Sequence, residues 1–291
     1  MPEMTAGDEA RLFRVAVTQW RATRDVASNL AIAVDFIREA GRRKADLVAL
    51  PENGLYLGNN HEMRSAALSV EGHEVDMLRD AAAESCTTVV LGGFKRRDAD
   101  GRIFNTALVI GDRGELLGGY DKIHLFDATV GGQQFEASSV ETRGERPTIL
   151  VLKGVRVGLT ICYDVRFPEL YRTLALAGAQ VILVPAAFTY TTGTAHWDVL
   201  LRARAIENGS YVVAPATVRG AEGEDAFETY GHALVIDPWG EKLVDLGEAE
   251  RACTVVPLDL RKVARTRNVL PVLRGVQLEA SGKAPAIIGP A

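Results

Sequence analysis

The sequence predicts an α/β fold in which helices cover mixed β-sheets. Strand-like runs rich in Val, Ile and Leu alternate with segments of helical periodicity along most of the chain, and this alternation is typical of sheets covered by helices. The last strand-like runs follow one another as hairpins, so antiparallel pairs are expected beside parallel ones. Roughly ten or more predicted strands are many for one open sheet, and two packed sheets are therefore expected.

The first half of the chain alternates between the two kinds of segment. The helix predicted at 26–44 carries Val26, Leu30, Val34 and Ile37 at helical spacing and ends in a basic turn, as amphipathic helices commonly do. The β-branched and apolar runs predict strands. In order, the predicted elements are strand 13–19, helix 26–44, strand 45–51, helix 74–85, strand 87–94 and strand 103–110.

The second half repeats the alternation and closes with hairpins. Pro168 is placed where a helix can begin, and the segment DPWG at 237–240 predicts a turn between two strands. In order, the predicted elements are strand 155–161, helix 168–179, strand 180–185, helix 196–208, and strands within 211–216, 232–246 and 252–260.

Length and composition limit the classes of protein to consider. The chain has 291 residues, of which 47% are hydrophobic and 24% charged, as in an ordinary globular protein; a disordered or collagen-like chain is excluded. The even composition from 11 to 275 predicts a single domain. Residues 1–10 and 276–291 are rich in small residues, Gly and Pro, and we expect them to form flexible terminal arms.

The charge and the cysteine content argue against several partners and cofactors. A net charge of −5 offers no basic excess for nucleic acid or for an anionic membrane. No apolar run approaches the roughly 18–20 residues of a membrane span, and the first residues lack a secretory signal. The three cysteines form no C-x-x-C pair, so we expect no disulfide framework, no metal site and a cytoplasmic location. Phosphate-binding glycine motifs are absent as well, so no cofactor is predicted.

Cys162 is the candidate nucleophile. A β-branched strand runs directly into it, and a helix is predicted to begin at Pro168. A residue at such a strand-to-helix turn is exposed at the edge of the sheet, as nucleophilic serines are in other hydrolases. Helix amides nearby favour an anion, so we expect a lowered pKa for this thiol. Cys86 and Cys253 are expected to be inert packing residues.

The identity of the base is left open by spacing alone. None of the five histidines is singled out, so a Cys–His hydrolase is possible. Glu52 lies just beyond a predicted buried strand, and Asp121 and Lys122 lie between apolar stretches. Charged groups at such places are costly unless they are paired, so these three are the better candidates.

Taken together, five segments resemble the nitrilase superfamily of carbon–nitrogen hydrolases. They occur in the order of that family and cover about 13–273. The segments are LVALPEN (47–53), YDKIHLFD (120–127), GLTICYDVRFPEL (158–170), PAAFTYTTGTAHWDVLLRARAIEN (185–208) and YGHALVIDPWG (230–240).

The resemblance implies a fold, a set of catalytic residues and an assembly. It implies a four-layer α-β-β-α sandwich with two mixed sheets and a homodimer or higher homo-oligomer. It implies a Glu–Lys–Cys triad of Glu52, Lys122 and Cys162, and a further glutamate that maps to Glu136. Glu52 would act as the base, Cys162 as the nucleophile and Lys122 as an oxyanion stabiliser.

The resemblance is strongest to the amidase branch, which contains omega-amidase and deaminated glutathione amidase. It implies hydrolysis of a small carboxylic amide to a carboxylate and ammonia through a cysteine thioester. We expect the backbone N–H of Tyr163 to stabilise the oxyanion and Phe188 to shape the pocket. Arg166 is expected either to pair with Glu169 or to bind a substrate carboxylate. The alternatives are a nitrilase, an N-carbamoyl amide hydrolase, or a non-enzymatic binding protein of the same superfamily.

Overall fold

The computed structural model describes residues 12–220 and 225–276. The two predicted terminal arms, 1–10 and 276–291, lie outside these residues except for Val276. Among the described residues, no helix has both the length and the apolar character needed to cross a membrane.

The helices and strands begin and end as follows. The first half contains β1 (Leu12–Trp20), α1 (Val26–Arg42), β2 (Leu47–Ala49), α2 (Asn60–Ser65), α3 (His73–Ser85), β3 (Thr88–Arg97), β4 (Ile103–Ile110), β5 (Leu116–Asp121), β6 (Asp127–Val130), β7 (Gln133–Glu136) and a 3₁₀ turn (Ala137–Ser139). The second half contains β8 (Thr148–Leu152), β9 (Val155–Leu159), a 3₁₀ turn (Cys162–Arg166), α4 (Pro168–Leu176), β10 (Val181–Leu183), α5 (Tyr190–Thr192), a π-helical turn (Gly193–Trp197), α6 (Asp198–Asn208), β11 (Tyr211–Ala214), β12 (Ala216–Thr217), β13 (Leu234–Ile236), β14 (Lys242–Asp245), β15 (Arg251–Asp259), α7 (Leu260–Val269) and a 3₁₀ turn (Val272–Gly275).

The strands of the described segments form two mixed sheets and a separate hairpin. The first sheet has the order β12-β1-β2-β3-β4-β5, and β15 pairs with β1 along its whole length. The second sheet has the order β14-β13-β11-β10-β9-β8, and β6 pairs only with β7. In each sheet a parallel centre, β1-β2-β3 or β9-β10-β11, is flanked by antiparallel strands. The prediction of mixed sheets is therefore confirmed.

Alternate side chains of a strand point to opposite faces of its sheet, and each face packs against a different layer. Val15 and Val17 of β1 pack with Leu159 of β9 in the core between the two sheets. Ala16, which points to the opposite face of β1, packs with Leu30 and other residues of the α1 and α3 layer, as the two-residue period of a strand requires. The helices α4 and α6 contact β9 and β11 on the far side of the second sheet. The order of layers is thus helices, sheet, sheet and helices, which confirms the four-layer sandwich.

Candidate active site

Glu52 lies just beyond the end of β2, and the residue is 3% exposed. Its Oε1 accepts hydrogen bonds from Lys122 Nζ at 2.8 Å and from Asn105 Nδ2 at 2.9 Å. Its Oε2 accepts one from the backbone N–H of Ala187 at 2.9 Å. Because three donors reach it from three different segments, the position and the orientation of the carboxylate are fixed.

Lys122 directly follows β5 and is held by its own backbone. Its N–H donates to the carbonyl of Asn105 at 2.8 Å, and its carbonyl accepts from the N–H of Gly144 at 2.8 Å. The side chain is 4% exposed and forms an ion pair with Glu52. The ammonium group is therefore brought to the end of β2 from the end of β5, three strands away in the same sheet.

Cys162 comes from the second sheet and begins the 3₁₀ turn between β9 and α4. Its φ of 47° lies in the left-handed region, which residues other than glycine seldom adopt. Its N–H donates to the carbonyl of Pro185 at 2.8 Å, and the residue is 9% exposed and contacts the cavity. The predicted strand–turn–helix is present, and the strained turn brings the sulfur to the junction of the two sheets.

The charges of the three groups depend on one another. Burial would raise the pKa of Glu52, but the charges of Lys122 and Lys95 lower it to about 2. Burial would lower the pKa of Lys122, but the charges of Glu52, Cys162 and Glu141 raise it above its ordinary value. The resting pair is therefore a carboxylate and an ammonium group.

The thiol behaves differently from the sequence prediction. Burial and the charge of Glu52 raise the pKa of Cys162 well above its ordinary value, and Lys122 opposes them only in part. The predicted lowering of this pKa is wrong because the dry surroundings and the adjacent carboxylate outweigh the amides of a short turn. The resting sulfur is a protonated thiol.

A buried carboxylate behind the site joins the segments that carry Lys122 and Cys162. Asp164 is fully buried and accepts from Tyr120 OH at 2.8 Å through Oδ2. Its Oδ1 lies 2.7 Å from His124 Nδ1. Since Tyr120 and His124 flank Lys122 in the chain and Asp164 is two residues beyond Cys162, these bonds fix the two segments relative to each other.

The three groups open onto one cavity of about 310 Å³. The ring of Tyr163 packs at 4.9 Å from that of Phe126, and the ring of Phe188 packs at 4.8 Å from that of Trp197. The aromatic side chains that line the cavity are Phe126, Phe135, Tyr163, Phe188 and Phe227. A cavity of this size with apolar walls and a few convergent polar groups suits a small molecule.

The backbone N–H of Tyr163 is a second feature of this residue beside its ring. Tyr163 is the second residue of the 3₁₀ turn, and the first amides of a helical turn have no carbonyl partner inside it. No hydrogen bond of its N–H to an acceptor is present in the described part of the chain. An unpaired donor therefore lies next to the sulfur.

Arg166 lines the cavity and does not pair with Glu169. Its guanidinium group lies 5.1 Å from the centre of the Phe188 ring, and its Nη1 lies 3.3 Å from Nδ1 of His196. Glu169 is exposed on the first turn of α4, and residues 12–220 and 225–276 contain no ion pair between it and Arg166. The predicted local brace is wrong, because Arg166 stacks on an aromatic wall and not on its own helix.

Glu136 is the one predicted catalytic residue that the structure leaves outside the site. Phe135 of β7 lines the cavity, as do Gln133 and Gln134, whereas Glu136 at the end of the strand is not among the lining residues. Glu136 is exposed, and its carboxylate accepts a hydrogen bond from Gln134 on the same strand. The sequence interpretation of Glu136 as a catalytic residue is corrected accordingly.

Three polar residues of the site were missed by the sequence interpretation. Asn105 donates to Glu52, and Lys95 and Glu141 form an ion pair that lines the cavity. The available signal was a polar side chain inside an apolar strand: Lys95 follows VVLGGF, and Asn105 lies in IFNTALVI. Burial of such groups is costly without a partner, so these two positions indicated a polar contact, whereas Glu141 lies outside the strands and carried no such signal.

The other cysteines lie elsewhere. Cys86 is exposed at the end of α3. Burial, with a contribution from Glu39, raises the pKa of Cys253 on β15 to about 12. Within the described ranges, no group of three or more His, Cys, Asp or Glu side chains could hold a metal ion.

Comparison with known proteins gives one family. The sequence profile of the carbon–nitrogen hydrolase family matches residues 14–268. A deaminated glutathione amidase of Synechocystis is 39% identical over 90% of this chain and 97% of its own length. The omega-amidase NIT2 of Homo sapiens is 37% identical over 90% of this chain and 94% of its own length.

A solved structure has the same fold. The crystal structure of the Caenorhabditis elegans NitFhit protein superposes with a TM-score of 0.85 at 34% identity. The match covers 92% of this chain and 66% of that one.

Proposed function

This chain belongs to the carbon–nitrogen hydrolase family and is an amidase, and we propose that Glu52, Lys122 and Cys162 are its catalytic residues. The proposed reaction converts a small carboxylic amide to a carboxylate and ammonia through a thioester on Cys162. The observation that carries this proposal is the meeting of the three side chains, all at least nine-tenths buried, at one cavity.

The first step is attack of the sulfur on the amide carbonyl. Since the resting sulfur is a thiol, its proton must leave as the bond to carbon forms. Glu52 is close enough to this thiol to raise its pKa and is ionised at neutral pH, so it receives the proton. The proton transfer and the attack are therefore coupled, because a free thiolate beside Glu52 is disfavoured.

Negative charge then develops on the carbonyl oxygen. Lys122 supplies a cation that is already desolvated, and the backbone N–H of Tyr163 supplies a second donor. Donors of this kind typically contribute about 3–4 kcal/mol each to the stabilisation of the transition state.

The last steps return the enzyme to its resting state. Glu52 gives its proton to the leaving nitrogen, and ammonia departs from the thioester. Water then adds to the thioester carbon while Glu52 accepts a proton from that water. The C–S bond breaks, Glu52 gives this proton to the departing sulfur, and the acid product leaves as a carboxylate with its own proton released to solvent. No cofactor or metal ion is used in these steps.

Substrate selection is assigned to the walls of the cavity. Phe188 and the other aromatic side chains would hold the acyl chain. Lys122 and Lys95 are each paired with a glutamate, so Arg166 is the cation available to a carboxylate on the acyl chain. We therefore propose an amide that carries a carboxylate, and the names of the two relatives make deaminated glutathione and omega-amides the first substrates to test.

A substrate panel tests this function. Ammonia release is measured for deaminated glutathione, α-ketoglutaramate, simple aliphatic amides, a nitrile and an N-carbamoyl compound, with carbon dioxide recorded for the last. We expect ammonia from the amides and none from Cys162→Ala, whose fold is checked by circular dichroism. Turnover by the folded C162A variant, or activity confined to the nitrile or to the N-carbamoyl compound, would contradict the proposal.

Two further expectations belong to this proposal. Val199 and Ile206 lie on one face of α6, and their side chains and that of Trp239 are exposed. Gly240, which follows Trp239, lies against Ile206, since a Cβ added at Gly240 would be 2.6 Å from Cδ1 of Ile206. We propose that two copies of the chain pair through this apolar face. Light scattering should then give a multiple of 31.4 kDa, and Ile206→Glu should reduce the mass to that of one chain.

The second expectation is a reducing, cytoplasmic location. Cys86, Cys162 and Cys253 are free, and the proposed nucleophile acts only as a reduced sulfur. Fractionation of the cells that express the protein tests this location.

A further inference from the structure

The side chain of Asn53 is a buried amide in the wall of the cavity, and the protein leaves it unpaired. The residue directly follows Glu52, is 7% exposed and lines the cavity. Its Oδ1 is shielded from solvent and has no hydrogen-bond partner, and no hydrogen bond of its Nδ2 is present within 12–220 and 225–276. Buried polar groups are costly without a partner, and most of them have one. A bound molecule is therefore the partner that this amide lacks.

The backbone conformation of Asn53 does not account for its side chain. Its φ of 54° lies in the left-handed region, which asparagine adopts more readily than most residues. Glycine would allow the same turn without burying an amide. Among the described residues other than glycine, those with a positive φ are Lys44, Asn53, Cys86, Lys153, Cys162 and His232. Of these, Asn53 and the proposed nucleophile Cys162 line the cavity.

Backbone hydrogen bonds fix the place of this amide. The N–H of Asn53 donates to the carbonyl of Gly93 at 2.7 Å, and its carbonyl accepts from the N–H of Tyr56 at 3.2 Å. The carbonyl of the next residue, Gly54, accepts from Nε1 of the buried Trp20 at 3.1 Å. Because the turn is held on both sides, the amide is in position before a substrate binds, and such preorganisation favours specific recognition.

The surroundings of Asn53 indicate the kind of atom that it binds. Because Oδ1 is shielded, Nδ2 is the polar atom left for a bound molecule, and an amide –NH₂ group donates hydrogen bonds. The partner is therefore an acceptor oxygen. The neighbouring carboxylate of Glu52 is ionised and repels a second anion, so an uncharged carbonyl oxygen is the better match.

We propose that Asn53 is a specificity-determining residue, whose Nδ2 donates a hydrogen bond to an uncharged carbonyl oxygen on the acyl chain of the substrate. The inference rests on the proposed amidase function and leaves its chemical steps unchanged. The acyl chain is then recognised at two places, by Arg166 at its carboxylate and by Asn53 at its carbonyl oxygen. A substrate that lacks this oxygen leaves the amide unpaired, so the site discriminates against it.

Two substrates that differ at a single carbon test the inference. α-Ketoglutaramate has an oxo group where glutaramate has a CH₂ group, and the chain length, the carboxylate and the hydrolysed amide are the same. The ratio of kcat/KM for the two substrates is measured by ammonia release. The concentration of α-ketoglutaramate is taken as that of its open-chain form, measured by NMR.

The variants separate the amide of Asn53 from its backbone. Asn53→Gly keeps the left-handed turn and removes the amide, and Asn53→Asp keeps the shape but replaces the donor by an acceptor. Lys44→Gly is the matched control, because Lys44 also has a positive φ, of 56°, and is exposed outside the cavity lining.

We expect the parent protein to prefer α-ketoglutaramate by about 10-fold or more, because only this substrate pairs with the amide. Both Asn53 variants should lose about 10-fold of this preference, whatever their effect on the two separate rates. Lys44→Gly should keep the preference of the parent protein.

Two results would overturn the inference. One is a parent protein that hydrolyses both substrates equally well. The other is an unchanged preference in the Asn53 variants, even where both substrates react more slowly, since equal slowing reflects a disturbance of the neighbouring Glu52. If Asn53→Gly does not fold, the preference of Asn53→Asp decides. Failure of the amidase proposal itself looks different, because the parent protein would then release ammonia from none of the amides tested.

Discussion

Replacement of Lys122 by methionine removes the cation that compensates the buried charge of Glu52. The two charged atoms are 2.8 Å apart, and each side chain is 4% exposed. After the replacement, only the amide of Asn105 and the N–H of Ala187 still bind the carboxylate. Breaking one side of a buried pair costs about 3–5 kcal/mol, which is a large part of the roughly 5–15 kcal/mol that stabilises a typical domain.

The loss of stability in Lys122→Met should become smaller as the pH falls. In the parent protein the pKa of Glu52 is about 2, below its ordinary value of 4.5, so its contribution to stability is present above 4.5 and is lost as the pH falls toward 2. In Lys122→Met the ammonium group no longer opposes the effect of burial, so the pKa of Glu52 rises. At neutral pH the variant is destabilised by the uncompensated charge of Glu52. This destabilisation decreases as the carboxylate is protonated, so the difference in unfolding free energy between parent and variant becomes smaller at lower pH.

Urea unfolding at about pH 7.5 and about pH 5, at one fixed protein concentration, measures this difference. The matched control is the double replacement Glu52→Gln with Lys122→Met, which removes the uncompensated charge and should recover most of the lost stability. A difference that does not change with pH, or a double variant as unstable as Lys122→Met alone, would refute the reasoning.

Three further predictions concern the surroundings of the site. In Gly92→Ala the new Cβ would lie 1.9 Å from the carbonyl oxygen of Leu50, so thermal unfolding should show a loss of about 1–3 kcal/mol or more; an unchanged melting temperature contradicts the close approach. Asp164→Asn weakens the charged contact with His124, and we expect kcat to fall about 10²-fold with the circular dichroism spectrum retained; an unchanged kcat would mean that this carboxylate does not position the site. Arg166→Met should raise KM about 10-fold or more for an amide that carries a carboxylate and hardly at all for a neutral amide; equal effects on both substrates would exclude the proposed contact.

Much of the fold follows from local patterns in the sequence. The central strands β2, β9 and β10 and the helix α4 form where apolar runs and Pro168 predict them. Glu52, Lys122 and Cys162 each follow a strand directly or within three residues, so their chemistry could be predicted from their place beyond an apolar run. Their meeting could not be predicted from spacing, because it depends on the packing of two sheets.

Other elements lack such a pattern. The hairpin of β6 and β7 is short, pairs with neither large sheet, and has half-exposed to exposed residues, so no apolar run indicates it. The error about Glu136 arises there, because the local sequence does not indicate which residues of this hairpin reach the cavity. Phe135 lies in the cavity and Glu136 does not.

The protonation states of the site residues were the property hardest to predict from the sequence. The amides at the start of a turn suggested a stabilised thiolate, but the pKa of Cys162 is raised by its burial and by the charge of Glu52. Lys95 and Glu141 are 46 residues apart in sequence, and only the folded chain reveals their ion pair. Local sequence indicates where a reactive group lies, whereas its charge depends on distant partners.

Covalent labelling of the sulfur during turnover tests the central claim most directly. The protein is mixed with a turned-over amide and quenched in acid within one catalytic cycle, and its peptides are analysed by mass spectrometry. The account predicts an acyl group on the peptide that contains Cys162, formed together with one equivalent of ammonia and absent from C162A. Ammonia release with an unmodified Cys162 at every time point, or an acyl group on another residue, would contradict it.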